Sequence, residues 1–334
     1  MSTPPSTEPA AGALAPAARA EEAGFTSVVA RTQGQLVRRR FLRHRGAMAG
    51  LVALAAVVLL SVTSIGAGPL PGWWGQSYLA TSDPVDGGRP TLDLLPAFLD
   101  GDGLAVGPHP FGQDNVGTDY FALTMRGAQQ TLLVGLLAGV VSTVTGVLFG
   151  ALAGFFRGGT EAVLMRVVDL VIAVPVLLVA AVVGRATGGA GVLALGVALG
   201  LLLFTTMARL LRGEILSLRE KEFVEAARAL GARPGRIIVR HVLPNAVGSI
   251  VVNATLTIAS AILLESAVSF LGVGVRPPDS SLGLQISNYQ AAFQTRPWLF
   301  WWPAAFIVAI ALAVNFIGDG LRDAFDPRQT KVRD

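Results

Sequence analysis

The sequence predicts an all-α polytopic membrane protein with six transmembrane helices, on three observations. Hydrophobic residues fill 52% of its 334 positions and charged residues 14%, where an ordinary globular domain is about 25% charged. Six stretches are apolar over about 20 residues, enough for a helix rising 1.5 Å per residue to cross about 30 Å of hydrocarbon. The third observation is a skew in the basic residues. With the N-terminus inside, only Arg89, Arg126, Arg185, Arg276 and Arg296 of the 26 Lys and Arg fall on the outer side, as expected where cytoplasmic loops retain positive charge.

Taken in order, residues 1–46 form a cytoplasmic tail, largely disordered: positions 1–30 are rich in Ala, Pro, Ser, Thr and Glu, with too little apolar surface to hold one structure. Arg38, Arg39, Arg40, Arg43 and Arg45 precede the first span, 47–66, and mark it as a retained anchor rather than a cleaved signal. An extracytoplasmic segment covers 67–128, with Trp73 and Trp74 suited to a membrane interface. Residues 129–318 form a five-helix core. Its spans fall near 129–156, 163–184, 190–211, 246–270 and 300–318, with a cytoplasmic loop over 212–245 and an outer segment between Val273 and Leu299. Residues 319–334 are a cytoplasmic tail. Gly135, Gly139, Gly146, Gly150 and Gly154 of span two, with Gly196 and Gly200 of span four, make flat faces where another backbone can come close. Packing inside this subunit is favoured there over a subunit interface.

Several chemistries are poorly supplied. Cysteine is absent, which removes disulfides, thiolate nucleophiles and Cys-ligated zinc. Lys221 and Lys331 are the two lysines and neither follows a glycine, so no phosphate-cradling loop is present and any ATP must act on another polypeptide. His44, His109 and His241 lie in three different segments without metal-site spacing. No catalytic residue and no metal ligand is assigned, and the basic residues form no groove for nucleic acid.

The cytoplasmic loop is the informative segment. Phe223, Ala226, Ala227 and Leu230 sit at i, i+3, i+4 and i+7, one apolar face of a short helix. Lys221, Glu225 and Arg228 are neighbours on its polar side. Gly231 ends it and Pro234 opens the next helix. A helix of two to three turns is marginal alone and needs a surface to pack against, either a partner protein or the chain's own spans.

Glu225-Ala226-Ala227, then Gly231 and Leu243-Pro244, resemble the EAA motif of ABC-importer permeases. Arg240-His241-Val242-Leu243-Pro244-Asn245 resembles the dipeptide, oligopeptide and nickel branch. Further matches are His109-Pro110-Phe111-Gly112 with Asp114, Gly117 and Asp119; Ser269 to Gly274 with Pro277-Pro278; and Gly318 to Arg328. Gln113, Asn115, Val116, Thr118 and Leu282 depart from the common pattern. The resemblance, to C-type subunits, implies a type I ABC importer permease fold in a prokaryotic cytoplasmic membrane, with both termini cytoplasmic. It implies coupling to ATPases through Phe223, Glu225, Ala226, Ala227, Arg228, Leu230, Gly231, His241, Leu243 and Pro244. The implied partners are a B-type permease subunit, one fused or two separate ATPase subunits carrying ATP and Mg, an external substrate-binding protein, and membrane lipid. This chain itself would hold no cofactor. Short peptides are the implied cargo, with nickel or another small solute as the alternative; an ion-driven secondary transporter and a non-transporting scaffold are competing classes.

Polar groups inside spans are costly and normally face the bundle interior or a wet cavity. Asp169, Asn253, Glu265 and Ser269 are the candidates for pathway or gating residues. Asp169 follows Arg166 by three positions, which suggests a local ion pair, and Glu265 lies beside Ser266 and Ser269, which suits either pore lining or an interhelical hydrogen bond.

Overall fold

The computed structural model describes residues 33–93, 105–187 and 191–326; the expected disorder over 1–30 lies outside the described residues. The end of the predicted tail is helical rather than disordered. Helix α1 (Gln33–Arg43) half-buries Val37, Arg40 and Phe41, and Arg40 donates to the carbonyl of Asp326, 3.1 Å away. His44 then caps α2 (Arg45–Ile65), accepting from the N–H of Ala47, while its Nε2 lies 3.2 Å from Asp323. The run of arginines reads as tail by composition, yet its apolar positions find a surface at the inner end of the last span.

The remaining membrane helices are α3 (Tyr120–Phe156), α4 (Gly158–Ala173), α5 (Val176–Thr187), α6 (Gly191–Leu218), α9 (Val247–Phe270) and α11 (Trp298–Phe325). Between α6 and α9 lie two short helices, α7 (Glu222–Ala229) and α8 (Pro234–Ile237). A third short helix, α10 (Leu282–Tyr289), sits in the second outer segment. Among the described residues, five helices are each long and apolar enough to cross a membrane, and α4 with α5 makes a sixth crossing if the bent pair is one span.

Three boundaries differ from the sequence expectation because hydropathy registers the bilayer, whereas the hydrogen-bond ladder continues into water. The second span begins at Tyr120 rather than 129, since Asp119 caps it by accepting from the N–H of Ala122 at 2.7 Å. At 1.5 Å per residue its 37 residues reach about 55 Å, well beyond the hydrocarbon. The fourth span runs to Leu218 and the sixth to Phe325, so both take the first turns of segments assigned to a loop and a tail.

The third span is not one helix. Pro175 has no N–H to continue the ladder and pushes Val174 into extended backbone, so α4 and α5 are bent by 86°. The glycine seams nevertheless show that this pair crosses. A methyl group at Gly146, Gly150 or Gly154 of α3 would strike Met207, Ala208 or Arg212 of α6, and at Gly196 or Gly200 of α6 would strike Leu137 or Val141 of α3. Residue numbers rise together along this contact, so α3 and α6 are parallel, and the pair between them must return across the membrane. Gly135 and Gly139 of α3 meet Ile262 and Ile258 of α9, and Gly50 of α2 meets Ala313 of α11, both antiparallel. Six alternating crossings result, and the glycine faces pack within this subunit.

Outside the spans, two two-stranded hairpins, Gly66–Ala67 with Leu70–Pro71 and Leu92–Asp93 with Ala105–Val106, shape the outer segment. It closes over the bundle through an aromatic cluster in which Phe111 stacks on Trp302 at 3.8 Å and Trp74 lies 4.8 Å from Phe121.

Candidate functional site

The loop between α6 and α9 is a folded unit. Backbone N–H groups of Val224 and Glu225 bond to the carbonyl of Lys221 and start α7. At its other end Gly231 adopts φ +76°, the left-handed conformation that glycine takes without penalty. There Gly231 N–H bonds to Arg228 and Ala232 N–H to Ala227, the paired bonds of a Schellman cap. Pro234 occupies the first turn of α8. The ladder then loosens into a π turn over Ile238–Val242 and a 3-10 turn over Leu243–Asn245, because Pro244 has no N–H to offer the carbonyl of Arg240.

The face that α7 buries differs from the one the spacing suggests. Val224 and Ala227 are buried, joining Ile237, Ile238 and Val242 against Leu211 and Ile215 of α6 and Phe155 of α3. Phe223 is 39% exposed and Leu230 88%, and Ala226 is exposed as well. Periodicity found the helix and placed Ala227 correctly, but missed Val224 and counted Phe223, Ala226 and Leu230 as buried, since Val224 with Ala227 at i, i+3 is an equally helical pair. The polar side is also re-sorted: Glu220 pairs with Arg157 at 2.9 Å and Arg219 at 3.3 Å, while the Arg228 guanidinium lies 5.5 Å from the Phe155 ring. His241 is half-buried and its carbonyl accepts from Asn245; Leu243 packs on the same core and Pro244 is exposed.

Of the four intramembrane candidates, two face outward from this chain and two do not. Asp169 pairs with Arg209 of α6 at 2.6 Å rather than with Arg166, because the neighbouring helix brings a guanidinium closer than the local turn does. About two turns earlier on α4, Glu161 accepts from Arg212. Asn253 lines a cavity of about 740 Å³ between α6, α9 and α11, with Glu214, Ser249 and Arg322. Above it Leu256, Ser260, Leu263 and Phe270 are exposed on one stripe of α9. Glu265 and Ser269 are buried on the opposite face, at 0% exposure. Glu265 accepts from Thr131 of α3 at 2.9 Å and from Ser269 at 2.6 Å. Thr131 accepts from the N–H of Leu282 and Ser269 from that of Val275. These bonds tie α3, α9 and the segment after α9 into an interhelical knot.

The outer motif residues have similar inward duties. Besides capping α3, Asp119 accepts from Trp74 at 3.1 Å and lies 2.7 Å from His109. Asp114 accepts from the N–H groups of Val116 and Thr118 and from the hydroxyl of Tyr289. Burial, then the Asp114 hydrogen bond and charge, push the Tyr289 phenol well above its ordinary pKa. Gln113 is fully buried, accepting from Val85 N–H and donating to Ser82, and Leu282 is fully buried in the core beneath.

A bundle of alternating membrane-length helices with a folded loop between α6 and α9 defines a multi-pass membrane protein. Residues 146–331 match the model of the binding-protein-dependent transport system inner membrane component, and residues 32–82 that of the N-terminal TM domain of oligopeptide transport permease C. The oligopeptide transport system permease protein OppC of Mycobacterium tuberculosis is 40% identical over 299 residues, 89% of this chain and 96% of the relative. OppC of Escherichia coli K12 is 37% identical over 305 residues, 90% and 93%. An inward-facing structure of the MetNI methionine ABC transporter superposes with a TM-score of 0.52 at 22% identity, covering 61% of this chain and 97% of that one. The chain belongs to the ABC-importer permease family, in its oligopeptide branch, and shares the fold of that solved transporter.

Proposed function

We propose that this chain is one of two transmembrane subunits of an ATP-driven importer of short peptides, working by alternating access in a prokaryotic cytoplasmic membrane. Its termini and the α7–α8 loop face the cytoplasm. A B-type permease subunit completes the pathway, separate or fused ATPase subunits bind ATP and Mg, and an external binding protein delivers cargo. Names of the relatives support peptides over nickel as the cargo.

The observation that carries the coupling role is the division of labour on α7. Val224 and Ala227 anchor it to α3 and α6, while Phe223 and Leu230 are left as exposed apolar groups beside exposed Glu225. Exposed apolar groups on a rigidly capped helix suit a partner groove. Motion of that groove would pass through α7 into α6, and the outward stripe of α9 with Asn253 would form part of the pathway wall. Glu225→Arg reverses charge at the docking face, and Gly231→Val strains the left-handed cap by about 1–2 kcal/mol. Both are expected to abolish peptide uptake by the reconstituted complex and to uncouple its ATPase from substrate, with all subunits still co-purifying. Normal uptake in both variants rejects the coupling role.

A further inference from the structure

The cavity between α4 and α6 has a charge arrangement that coupling does not use. It measures about 640 Å³ and is lined by Glu161, Arg166 and Asp169 of α4 and Arg209 and Arg212 of α6. Glu161 and Asp169 are taken by Arg212 and Arg209. Three guanidiniums therefore face two carboxylates, and the surplus is Arg166. It is exposed on the cavity side one turn from Asp169, and among the described residues it makes no ion pair.

Five ionisable side chains around one opening on otherwise apolar helices cannot sit against hydrocarbon, where each costs at least about 2.5 kcal/mol. The space is wet. Within it the Arg209–Asp169 pair is about half-exposed, 52% and 48%, so water screens it and leaves the extra positive charge uncompensated. A guanidinium presents a planar fork matched to a carboxylate or phosphate. Arg209 and Arg212 line this cavity from one flank of α6, while Leu210 and Glu214, turned to another flank of the same helix, line the Asn253 cavity.

We propose that Arg166 binds the free α-carboxylate of the peptide cargo in this inner vestibule, as a specificity determinant separate from the external binding protein. The proposal rests on the peptide-importer reading. A lipid phosphate offers the same oxyanion chemistry, and the test separates the two.

The intact complex is reconstituted with saturating binding protein, and uptake of a tripeptide is compared with uptake of its C-terminal amide. Wild type is expected to favour the free acid. In Arg166→Gln the acid-to-amide ratio should fall about tenfold, the effect of one charge-assisted hydrogen bond. In Arg166→Lys, which keeps the charge but loses the fork, the ratio should be intermediate, and this variant decides the matter if the glutamine variant fails to co-purify with its partners. An unchanged ratio in the assembled variants overturns the proposal. So does a loss equal for both peptides that vanishes in vesicles made without anionic lipid, which assigns the cavity to a lipid headgroup. Failure of the wild-type complex to import either peptide overturns instead the peptide reading beneath it.

Discussion

The two ends of the bundle, the one proposed to face outward and the one proposed to face the cytoplasm, treat polar groups in opposite ways. At the outer end, His109 with Asp119, Asp114 with Tyr289, and Glu265 with Thr131 and Ser269 are buried or largely so and bonded within the chain. At the inner end, Asp169 with Arg209 is about half-exposed, Asn253 lines an open cavity, and Phe223 and Leu230 stand uncovered. Buried pairs are costly to break because each loss strands the other partner, whereas exposed pairs contribute at most about 1 kcal/mol. One end of the bundle is thus closed on itself, and the other leaves polar and apolar groups uncovered.

Substitutions can break this contrast. The largest stability loss is expected for Asp119→Ala, which removes the α3 cap and the acceptor for Trp74 and His109. It should cost about 3–5 kcal/mol, read as a lower Tm of the purified complex; a loss below 1 kcal/mol would show that the outer cap is not held by this carboxylate. Next is Glu265→Ala, which leaves the Thr131 and Ser269 hydroxyls without their acceptor. The expected cost is about 1–3 kcal/mol, with Glu265→Gln milder because it keeps an acceptor oxygen. Were Glu265 a pathway residue, uptake would fall in both variants with Tm unmoved. Smallest in stability is Leu230→Ser, expected within about 0.5 kcal/mol of wild type, since the side chain is 88% exposed. Its effect should surface as weakened ATPase association in pull-down; full association would make α7 docking independent of this residue.

Much of the fold was legible because bilayer physics writes itself into composition. Apolar stretches of membrane length and glycines four apart announce crossings and close contacts without reference to what they touch. The cap at Gly231 and the helix start at Pro234 were equally readable, being local backbone chemistry. Less legible were features decided by neighbours distant in sequence. Asp169 stands three residues from Arg166 yet pairs with Arg209, and Glu265 looked as much like a pore residue as a knot until Thr131 was placed beside it. The short α10 helix, starting at Leu282, escaped notice because eight residues in a Gly- and Pro-flanked segment carry little periodic signal.

By itself, then, the sequence determined the number of crossings, their charge asymmetry, the glycine seams and the ends of α7, since each depends on residues within a turn or on average polarity. Tertiary structure alone decided which face of α7 is anchored, that Pro175 bends the third crossing by 86° without stopping it, and which polar groups inside the spans are sealed. Those outcomes depend on which helices are neighbours and how they are rotated, and a side chain's partner across a helix interface is set by that rotation rather than by its own place in the chain.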